Sequence, residues 1–219
     1  MEAIDNGSID YRSELLRKSI HLCSLSIPVI YNFIDKILAL EILVPLTLVA
    51  LFFDIGRFLS KSIDKFITSY FGFLLRDHEK DREKKNLNGA TYVLLSATIV
   101  VLIFPKYFAI TGFAILIISD ILAALIGRKY GKHKFLFKSL EGTLAFFISA
   151  CVVVMLTPKF EYRAIEYFIG FIAAGIGAIF ENISYGWADD NLAIPISIGI
   201  SLWLLYYFFI PDLVPVISF

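Results

Sequence analysis

Cysteine and charged residues are both scarce in this chain. Its 219 residues include two cysteines, and only 18% of them are charged, whereas soluble domains carry about 25%. Because Cys23 and Cys151 lie inside apolar runs, we interpret them as small apolar side chains, which excludes a disulfide framework and a cysteine metal site. The low charge and the mean hydropathy of +0.76 exclude an ordinary soluble domain.

The chain also lacks the motifs of common soluble enzymes. It has no H-E-x-x-H zinc motif and no nucleophile elbow. The stretch GRKYGKH differs from a P-loop, because its spacing is one residue short and His133 stands where Ser or Thr is required. The polar, acidic N-terminal stretch has no cleavage site of a signal peptide. We expect neither a soluble nucleotide-binding domain nor a nucleic-acid partner.

Apolar runs are what the sequence has in abundance. Hydrophobic residues make up 58% of the chain and collect in runs close to the ~20 residues that span a hydrocarbon core. The seven runs are 18–33, 37–53, 89–104, 107–127, 139–157, 164–180 and 191–210. They predict an all-α fold, in which residues 1–219 form one polytopic integral membrane helix bundle of about seven transmembrane helices.

The basic residues predict the orientation of this bundle. With a cytoplasmic N-terminus, the inner segments and Lys18 together hold 16 of the 20 Lys and Arg residues. These segments are 1–17, 54–88, 128–138 and 181–190. Cytoplasmic segments carry such an excess, so we expect the N-terminus inside and the C-terminus outside. The membrane would be the cell membrane of a prokaryote, or the endoplasmic reticulum or plastid membrane of a eukaryote.

Residues 55–75 combine apolar residues at helical spacing with charged residues such as Arg57, Lys61 and Lys65 between them. This pattern predicts a helix that lies in the cytoplasmic interface. A surface helix packed on the bundle fits the same pattern equally well.

Ionisable side chains inside or at the ends of the runs are the strongest functional signal. Each costs roughly 2.5–3.5 kcal/mol at membrane depth, so such residues usually face a bundle interior and mark function. They are His21, Glu41, Asp120, Glu141 and Glu181. On the predicted topology all but Glu41 lie near the inner face, and we interpret Glu41 as structural. Converging carboxylates provide the hard oxygen ligands that Mg²⁺ prefers.

A basic loop joins the fourth and fifth runs beside these acids. It contains Lys129, Lys132, Lys134 and Lys138. Gly127 and Gly131 let a backbone come close to phosphate oxygens, so the loop and the acids together provide what phosphoryl transfer needs. Simpler roles stay open: Asp120 as partner of a buried Lys or His, Glu141 as a helix N-terminal charge, and the lysines as anchors.

Residues 119–147, SDILAALIGRKYGKHKFLFKSLEGTLAFF, resemble the signature region of the polytopic dolichol kinase, phytol kinase and yeast-type diacylglycerol kinase family. That signature is an acid before A-x-x-x-G-[RK]-x-[FYG]-G, followed by K-[ST]-x-E-G-[ST]-x-A. The matching positions are Asp120, Ala124, Gly127, Arg128, Tyr130, Gly131, Lys138, Ser139, Glu141, Gly142, Thr143 and Ala145, while Ser119 replaces a common glycine. The similar flanking stretches ELLRKSIHL, NGATYVLLSA and FENISYGWADDNLAIPI extend the resemblance over about 14–200.

The resemblance implies a lipid-alcohol kinase that uses CTP as phosphoryl donor with Mg²⁺ or another divalent cation. Its acceptor would be a long-chain isoprenoid alcohol such as dolichol, another polyprenol or phytol, and its surroundings membrane lipids. The implied catalytic residues are Asp120, Lys138 and Glu141, and the candidate metal ligands are Asp120, Glu141, Glu181 and Asp190. With the basic loop included, the candidate nucleotide-binding residues are Gly127, Arg128, Lys129, Gly131, Lys132, Ser139, Gly142 and Asn191.

Other functions remain open at this point. A CTP-dependent diacylglycerol kinase would show the same signature, and a phosphatidate cytidylyltransferase would use the same nucleotide. A membrane transporter would need polar residues at the bilayer midplane, whereas the charges here collect on one face. A structural membrane subunit leaves Asp120 and Glu141 unexplained. The oligomeric state is open.

Overall fold

The computed structural model describes residues 18–71, 87–184 and 189–213. Within these ranges the chain is helical apart from short connections and one small hairpin. After a helical stretch at 18–23, the elements are α1 (Ser26–Phe33), α2 (Lys36–Leu59), α3 (Lys61–Phe71), α4 (Gly89–Ile103), α5 (Lys106–Tyr130), β1 (Lys134–Phe135), β2 (Lys138–Ser139), α6 (Leu140–Leu156), α7 (Ala164–Ile183) and α8 (Asp190–Phe209).

These helices confirm the prediction of an all-α membrane protein. Each of the seven predicted apolar runs coincides with helical structure. In the described part of the chain, α2, α5, α7 and α8 are long and apolar enough to cross a membrane, whereas α4 and α6 are shorter apolar helices of 15 and 17 residues. The count of seven spans and the cytoplasmic N-terminus stay predictions.

Ser60 divides the amphipathic segment that the sequence predicts as one helix over 55–75. Residues 55–59 belong to the end of α2, α3 begins one residue after Ser60, and residues 72–75 lie outside the described part of the chain. Ser60 is extended, and its backbone N–H donates to the carbonyl oxygen of Gly56 at 2.8 Å. An added Cβ on Gly56 would lie 3.0 Å from Ile63 Cδ1, so glycine lets α3 fold back against α2. Helical periodicity continues across this turn and therefore does not reveal it.

The central helix of the bundle is α5. It packs against α1, α4, α6 and α8, and its consecutive residues Ile115, Leu116 and Ile117 are fully buried. A helix that is apolar all round is typical of such a buried position. As a result α5 carries Asp120 into the interior of the bundle.

Glycines let the helices around α5 approach closely. An added Cβ on Gly112 of α5 would lie 3.1 Å from the carbonyl oxygen of Pro195 in α8, and one on Gly199 would lie 2.5 Å from Phe104 Cε2. Small residues matter at these interfaces because no hydrophobic effect drives helices together within lipid. The contacts fix α8 and its first residue, Asp190, relative to α5.

A two-residue turn joins β1 and β2 between α5 and α6. The strands are antiparallel with Lys134 opposite Ser139, so Leu136 and Phe137 form the turn. Leu136 has φ 51°, a left-handed conformation that glycine adopts more readily than leucine. The basic loop of the sequence is therefore partly the end of α5 and partly a hairpin.

Candidate active site

Three carboxylates from three helices meet where α5 ends and α6 begins, which we call the signature end of the bundle. Asp120 comes from α5, Glu181 from the last turn of α7 and Asp190 from the first turn of α8. One oxygen from each lies within 4.8 Å of the others. Asp120 and Glu181 are 5% and 3% exposed. We refer to these three residues as the carboxylate cluster.

Two lysines are bonded to the carboxylate cluster. Lys18, buried at the start of the described chain, donates to Asp120 Oδ2. Lys138 Nζ in β2 lies 2.6 Å from Glu181 Oε1 and 3.1 Å from Asp190 Oδ2. Buried charges are stable only when paired, and each of the three acids is bonded to one of these two ammonium groups.

The environment of Lys138 keeps its ammonium group charged. Burial alone would lower the pKa of Lys138, but the carboxylates of Asp190 and Glu181 and the hydrogen bond to Glu181 together hold that pKa above its ordinary value. Lys138 therefore offers a permanent positive charge beside the acids at neutral pH.

One oxygen of the carboxylate cluster has no hydrogen-bond partner among the described residues. Glu181 Oε2 is buried, while Oε1 of the same side chain accepts from Lys138. Such an oxygen normally costs free energy unless a donor or a cation satisfies it. Carboxylate oxygens from three separate helices, together with this open oxygen on Glu181, fit a hard divalent cation such as Mg²⁺.

Asn182 fixes the position of Lys138. Its side-chain oxygen accepts the backbone N–H groups of Phe137 at 2.9 Å and Lys138 at 3.2 Å, and its Nδ2 donates to Thr143 Oγ1 at 2.7 Å. One buried side chain thereby ties the hairpin to α7 and α6. Asn182 is not among the site residues predicted from the sequence. Its position directly after Glu181 in the stretch FENI could have indicated it.

Ser184 supports the cluster from the connection between α7 and α8. Its hydroxyl donates to Asp190 Oδ1. Asn191 Nδ2 donates to Asp189 Oδ1 at 2.7 Å, and the same oxygen accepts the backbone N–H of Asn191. Asn191, a predicted nucleotide-binding residue, is thus part of the N-terminal cap of α8, directly beside Asp190.

Ser139 and three glycines form the contact between α5 and α6. Ser139 Oγ accepts the N–H of Gly142 at 3.2 Å and caps α6. An added Cβ on Gly127 would lie 3.0 Å from Ser139 Oγ, and one on Gly131 would lie 2.7 Å from Ser139 Cβ. All four residues are buried. The structure therefore gives these predicted nucleotide-binding residues a packing role at the signature end.

The remaining predicted site residues lie around the hairpin. Glu141 accepts from His133 Nδ1 at 2.7 Å and from the His133 backbone N–H at 3.3 Å. In the described part of the chain, Glu141 does not belong to the carboxylate cluster. Arg128 is half-buried, and Lys129 and Lys132 are exposed. These side chains belong to the end of α5, the α5–α6 connection and the start of α6, beside the hairpin that carries Lys138.

The other two ionisable residues named from the sequence differ in their surroundings. His21 is half-buried in the helical stretch at 18–23, near the buried Lys18. Glu41 is exposed on α2, and the structural role expected of it stays a prediction.

Glu166 is a buried acid that is not among the site residues predicted from the sequence. It lies at the opposite end of the bundle, is fully buried, and accepts the hydroxyl of Tyr206 at 2.9 Å. It also accepts the backbone N–H groups of Phe160, Glu161 and Arg163. With four donors Glu166 is satisfied, and it holds the connection between α6 and α7 in place. Because the N-cap of α7 is Arg163, the sequence lacks the Ser/Thr-x-x-Glu pattern that marks a capping box.

Comparison with known proteins gives relatives over most of the chain. The chain is 32% identical over 199 residues to an uncharacterised protein of Rickettsia prowazekii, covering 90% of this chain and 97% of that protein. It is 30% identical over 165 residues to the CTP-dependent diacylglycerol kinase 1 of Schizosaccharomyces pombe, covering 69% of this chain and 74% of that kinase. A phytol kinase of a Synechocystis strain is 31% identical over 102 residues, covering 44% and 43%. No family model and no solved structure matches the chain.

The fold and the site define an integral membrane protein with buried acids and lysines at one end of a helix bundle. The chain belongs to the family of polyprenol and lipid kinases that includes phytol kinase and CTP-dependent diacylglycerol kinase, which confirms the resemblance of its signature region.

Proposed function

We propose that the protein is a CTP-dependent kinase that transfers the γ-phosphate of CTP to the hydroxyl of a long-chain isoprenoid alcohol, either a polyprenol or a phytol-like alcohol. The carboxylate cluster with its two lysines carries the proposal, because buried acids beside fixed cations suit a metal–nucleotide complex. The diacylglycerol kinase relative supports CTP as donor, and the phytol kinase relative supports an isoprenoid acceptor.

Asp120, Glu181 and Asp190 would hold Mg²⁺, which supplies charge neutralisation for the transferring phosphoryl group. Glu141 stays a candidate ligand from the sequence. Its side chain is partly exposed and bonded to His133, so joining the carboxylate cluster would require it to leave that partner.

Lys138 and Lys18 would supply the fixed positive charge nearest the phosphates. Both ammonium groups are bonded to carboxylates of the cluster, which would hold their positive charge beside the phosphates of the bound nucleotide. Arg128, Lys129 and Lys132 would extend this positive surface along the nucleotide. Such preorganised charge would lower the activation barrier, because phosphoryl transfer depends mainly on positioning and on electrostatic stabilisation of the transition state.

The transfer itself forms a bond between the acceptor oxygen and the γ-phosphorus, and breaks the bond between that phosphorus and the bridging oxygen, so that CDP leaves. A carboxylate accepts the hydroxyl proton. We assign this role to Asp120, and Glu181 is the second candidate because its Oε2 has no hydrogen-bond partner within the described ranges.

The lipid tail would lie among the apolar helices, with its hydroxyl at the signature end. The excess of basic residues in the segments at this end supports a cytoplasmic location for the site. CTP would then reach the carboxylate cluster from the cytoplasm while the acceptor arrives within the membrane.

Diacylglycerol is a second candidate acceptor. The relative whose name contains this lipid covers more of the chain than the phytol kinase does. Both acceptors present a hydroxyl at the membrane surface, so the chemistry at the carboxylate cluster would be the same for each.

A radiolabel assay on the purified protein tests these proposals. Separate reactions would contain γ-labelled CTP, γ-labelled ATP or α-labelled CTP, each with polyprenol, phytol or diacylglycerol in detergent. Label in an isoprenoid lipid from γ-labelled CTP alone is the expected result. Label only in diacylglycerol would select the second acceptor, and label from α-labelled CTP would mean cytidylyl transfer and would overturn the kinase proposal.

A further inference from the structure

Three consecutive apolar side chains are exposed at the turn of the β1–β2 hairpin. Phe135, Leu136 and Phe137 are 37%, 49% and 62% exposed, and we call them the hairpin tip. Connections between helices that lie in water are usually polar and rich in turn-forming residues. An apolar tip on a two-residue turn therefore needs an apolar environment that the described part of the protein does not provide.

Leu136 strengthens this point, because the backbone favours a different residue at its position. Its φ of 51° is in the left-handed region, where glycine or asparagine fits without the steric penalty of a leucine side chain. Leu136 is about half exposed, so packing within the protein compensates little of this penalty. A residue that conflicts with its local backbone without a gain in packing indicates a function.

The lower part of the hairpin is held firmly while the tip projects. Asn182 accepts the N–H groups of Phe137 and Lys138, and the backbone N–H of Leu140 donates to His133 O at 2.8 Å. The tip is therefore presented in a defined conformation by the same hairpin that carries Lys138.

The surroundings of the tip match the chemistry of a lipid interface. Lys134, which precedes the tip, is exposed, and Tyr130 at the end of α5 is 55% exposed. Tyrosine is enriched at membrane–water interfaces, and lysine is attracted to anionic headgroups. Directly after the hairpin, Leu140, Leu144 and Ile148 form an exposed apolar stripe along α6, which is 36%, 48% and 62% exposed.

We propose that the hairpin tip inserts into the headgroup layer of the membrane at the signature end, with Lys134 contacting anionic lipid headgroups. The occupant of this surface is the membrane that surrounds the bundle. Insertion holds Lys138 at the depth at which a lipid hydroxyl is presented, and this last consequence alone rests on the proposed kinase function.

Fluorescence of a label at the tip tests the insertion without any enzyme assay. The full-length protein carries Cys23→Ser, Cys151→Ser and Phe137→Cys, is labelled with the environment-sensitive dye NBD, and is placed in vesicles of phosphatidylcholine and phosphatidylglycerol. The matched control replaces Phe137→Cys by Lys132→Cys, an exposed position in the same connection. We expect blue-shifted emission and quenching by a nitroxide near the top of the lipid chains for the tip label, and water-like emission for the control.

Emission from the tip label that is water-like, quenched by aqueous iodide and equal to that of the control would overturn the proposal. A second variant separates insertion from folding, because Leu136→Gly removes the apolar side chain while relieving the left-handed strain. We expect an equal or higher Tm and several-fold weaker nitroxide quenching of the label at position 137. Unchanged quenching in this variant would also count against insertion.

The link to catalysis has its own readout. In Leu136→Gly we expect a raised KM for a lipid alcohol presented in vesicles and an unchanged KM for CTP. If no donor labels any lipid, the proposed function fails, whereas the fluorescence result still decides whether the tip inserts.

Discussion

At the scale of single residues, the sequence predicts the acids of the site and Lys138, but not which side chains pair with one another. Asp120 is recognisable because an acid within an apolar run is costly. Its partner Lys18 lies 102 residues away in the sequence and is indistinguishable there from an ordinary membrane anchor. Asn182 is missed for the same reason, since its contacts with the hairpin exist only once α7 packs beside α6. Pairing depends on the arrangement of helices, which residue chemistry alone does not specify.

Replacing Asp120→Asn should reduce kinase activity by at least about 10²-fold, because it removes a charge that would act on the metal–nucleotide complex. We expect expression and folding to persist, with a lowered Tm, since Lys18 loses its charged partner. Initial rates and thermal unfolding in detergent measure the two effects.

The double variant Lys18→Met with Asp120→Asn separates stability from catalysis. It should recover Tm while activity stays lost. The surface control Glu41→Gln, at an exposed position on α2, should keep activity within about twofold of the unchanged protein. A fully active Asp120→Asn protein would remove Asp120 from the proposed catalytic residues.

Lys159, in the connection between α6 and α7, should make stability depend on alkaline pH. Burial lowers the pKa of its ammonium group to about 8, and the Glu166 carboxylate opposes this shift. Between about pH 8 and the ordinary lysine pKa near 10.4, the unfolded chain binds more protons, so the free energy of unfolding rises with pH. Tm measured across this window should rise less in Lys159→Met; equal slopes in both proteins would contradict the shift.

At the scale of elements, the sequence predicts which segments are helical, because length and apolarity in a membrane leave few alternatives. The predicted bounds of the elements are wrong where the backbone turns although the spacing of apolar residues does not change. Ser60 breaks a periodicity that continues through it, and the basic connection folds as a hairpin although Leu136 is a poor turn residue. The glycines of the signature were expected near phosphate, and their contacts with Ser139 are visible only in the packed bundle.

Gly131→Ala should destabilise the contact between α5 and α6. The added Cβ would lie 2.3 Å from Gly127 O and 2.7 Å from Ser139 Cβ, and overpacking of this kind costs about 1–3 kcal/mol. In Gly175→Ala the nearest atom would be Phe147 Cε2 at 3.6 Å, so this matched variant should keep or raise Tm. Equal Tm values for the two variants would mean that the connection rearranges freely.

Asn182→Ala should loosen the hairpin from α7. It leaves the N–H groups of Phe137 and Lys138 without their acceptor, at a cost of about 1–3 kcal/mol for each one that stays buried. We expect a lower Tm and reduced activity, because Lys138 loses its position. Thr143→Val removes the bonds of Thr143 Oγ1 to Asn182 Nδ2 and to the backbone oxygen of Ser139 but leaves both N–H acceptors of the hairpin in place. It should have a smaller effect on both, and a larger effect would contradict this role of Asn182.

At the scale of the whole molecule, the fold class follows from the sequence because bilayer thickness sets helix length. The location of the acids at one end also follows, since it needs only the alternation of spans. The identity of α5 as the central helix does not follow, because several runs are equally apolar. That choice depends on which helices carry small residues at facing positions, as Gly112 of α5 does against Pro195 of α8.

The predicted orientation can be measured by chemical labelling. In a Cys23→Ser and Cys151→Ser background, Lys132→Cys should react with a membrane-impermeant maleimide from the cytoplasmic side only. Glu161→Cys, between α6 and α7, should react from the outer side only. Both positions are exposed. Reaction of both residues from one side would overturn the predicted number of spans between them, and the reverse pattern would invert the orientation.

The short helices α4 and α6 bear on the membrane around the protein. At 15 and 17 residues they are about 22 Å and 26 Å long, against a hydrocarbon thickness of about 30 Å. If both cross the bilayer, as the sequence predicts, this hydrophobic mismatch is relieved when the adjacent leaflets thin. The headgroup plane then dips beside α6, where the helix starts at the signature end. A locally thinned bilayer would bring the hydroxyl of a lipid closer to the buried acids than a bilayer of full thickness does.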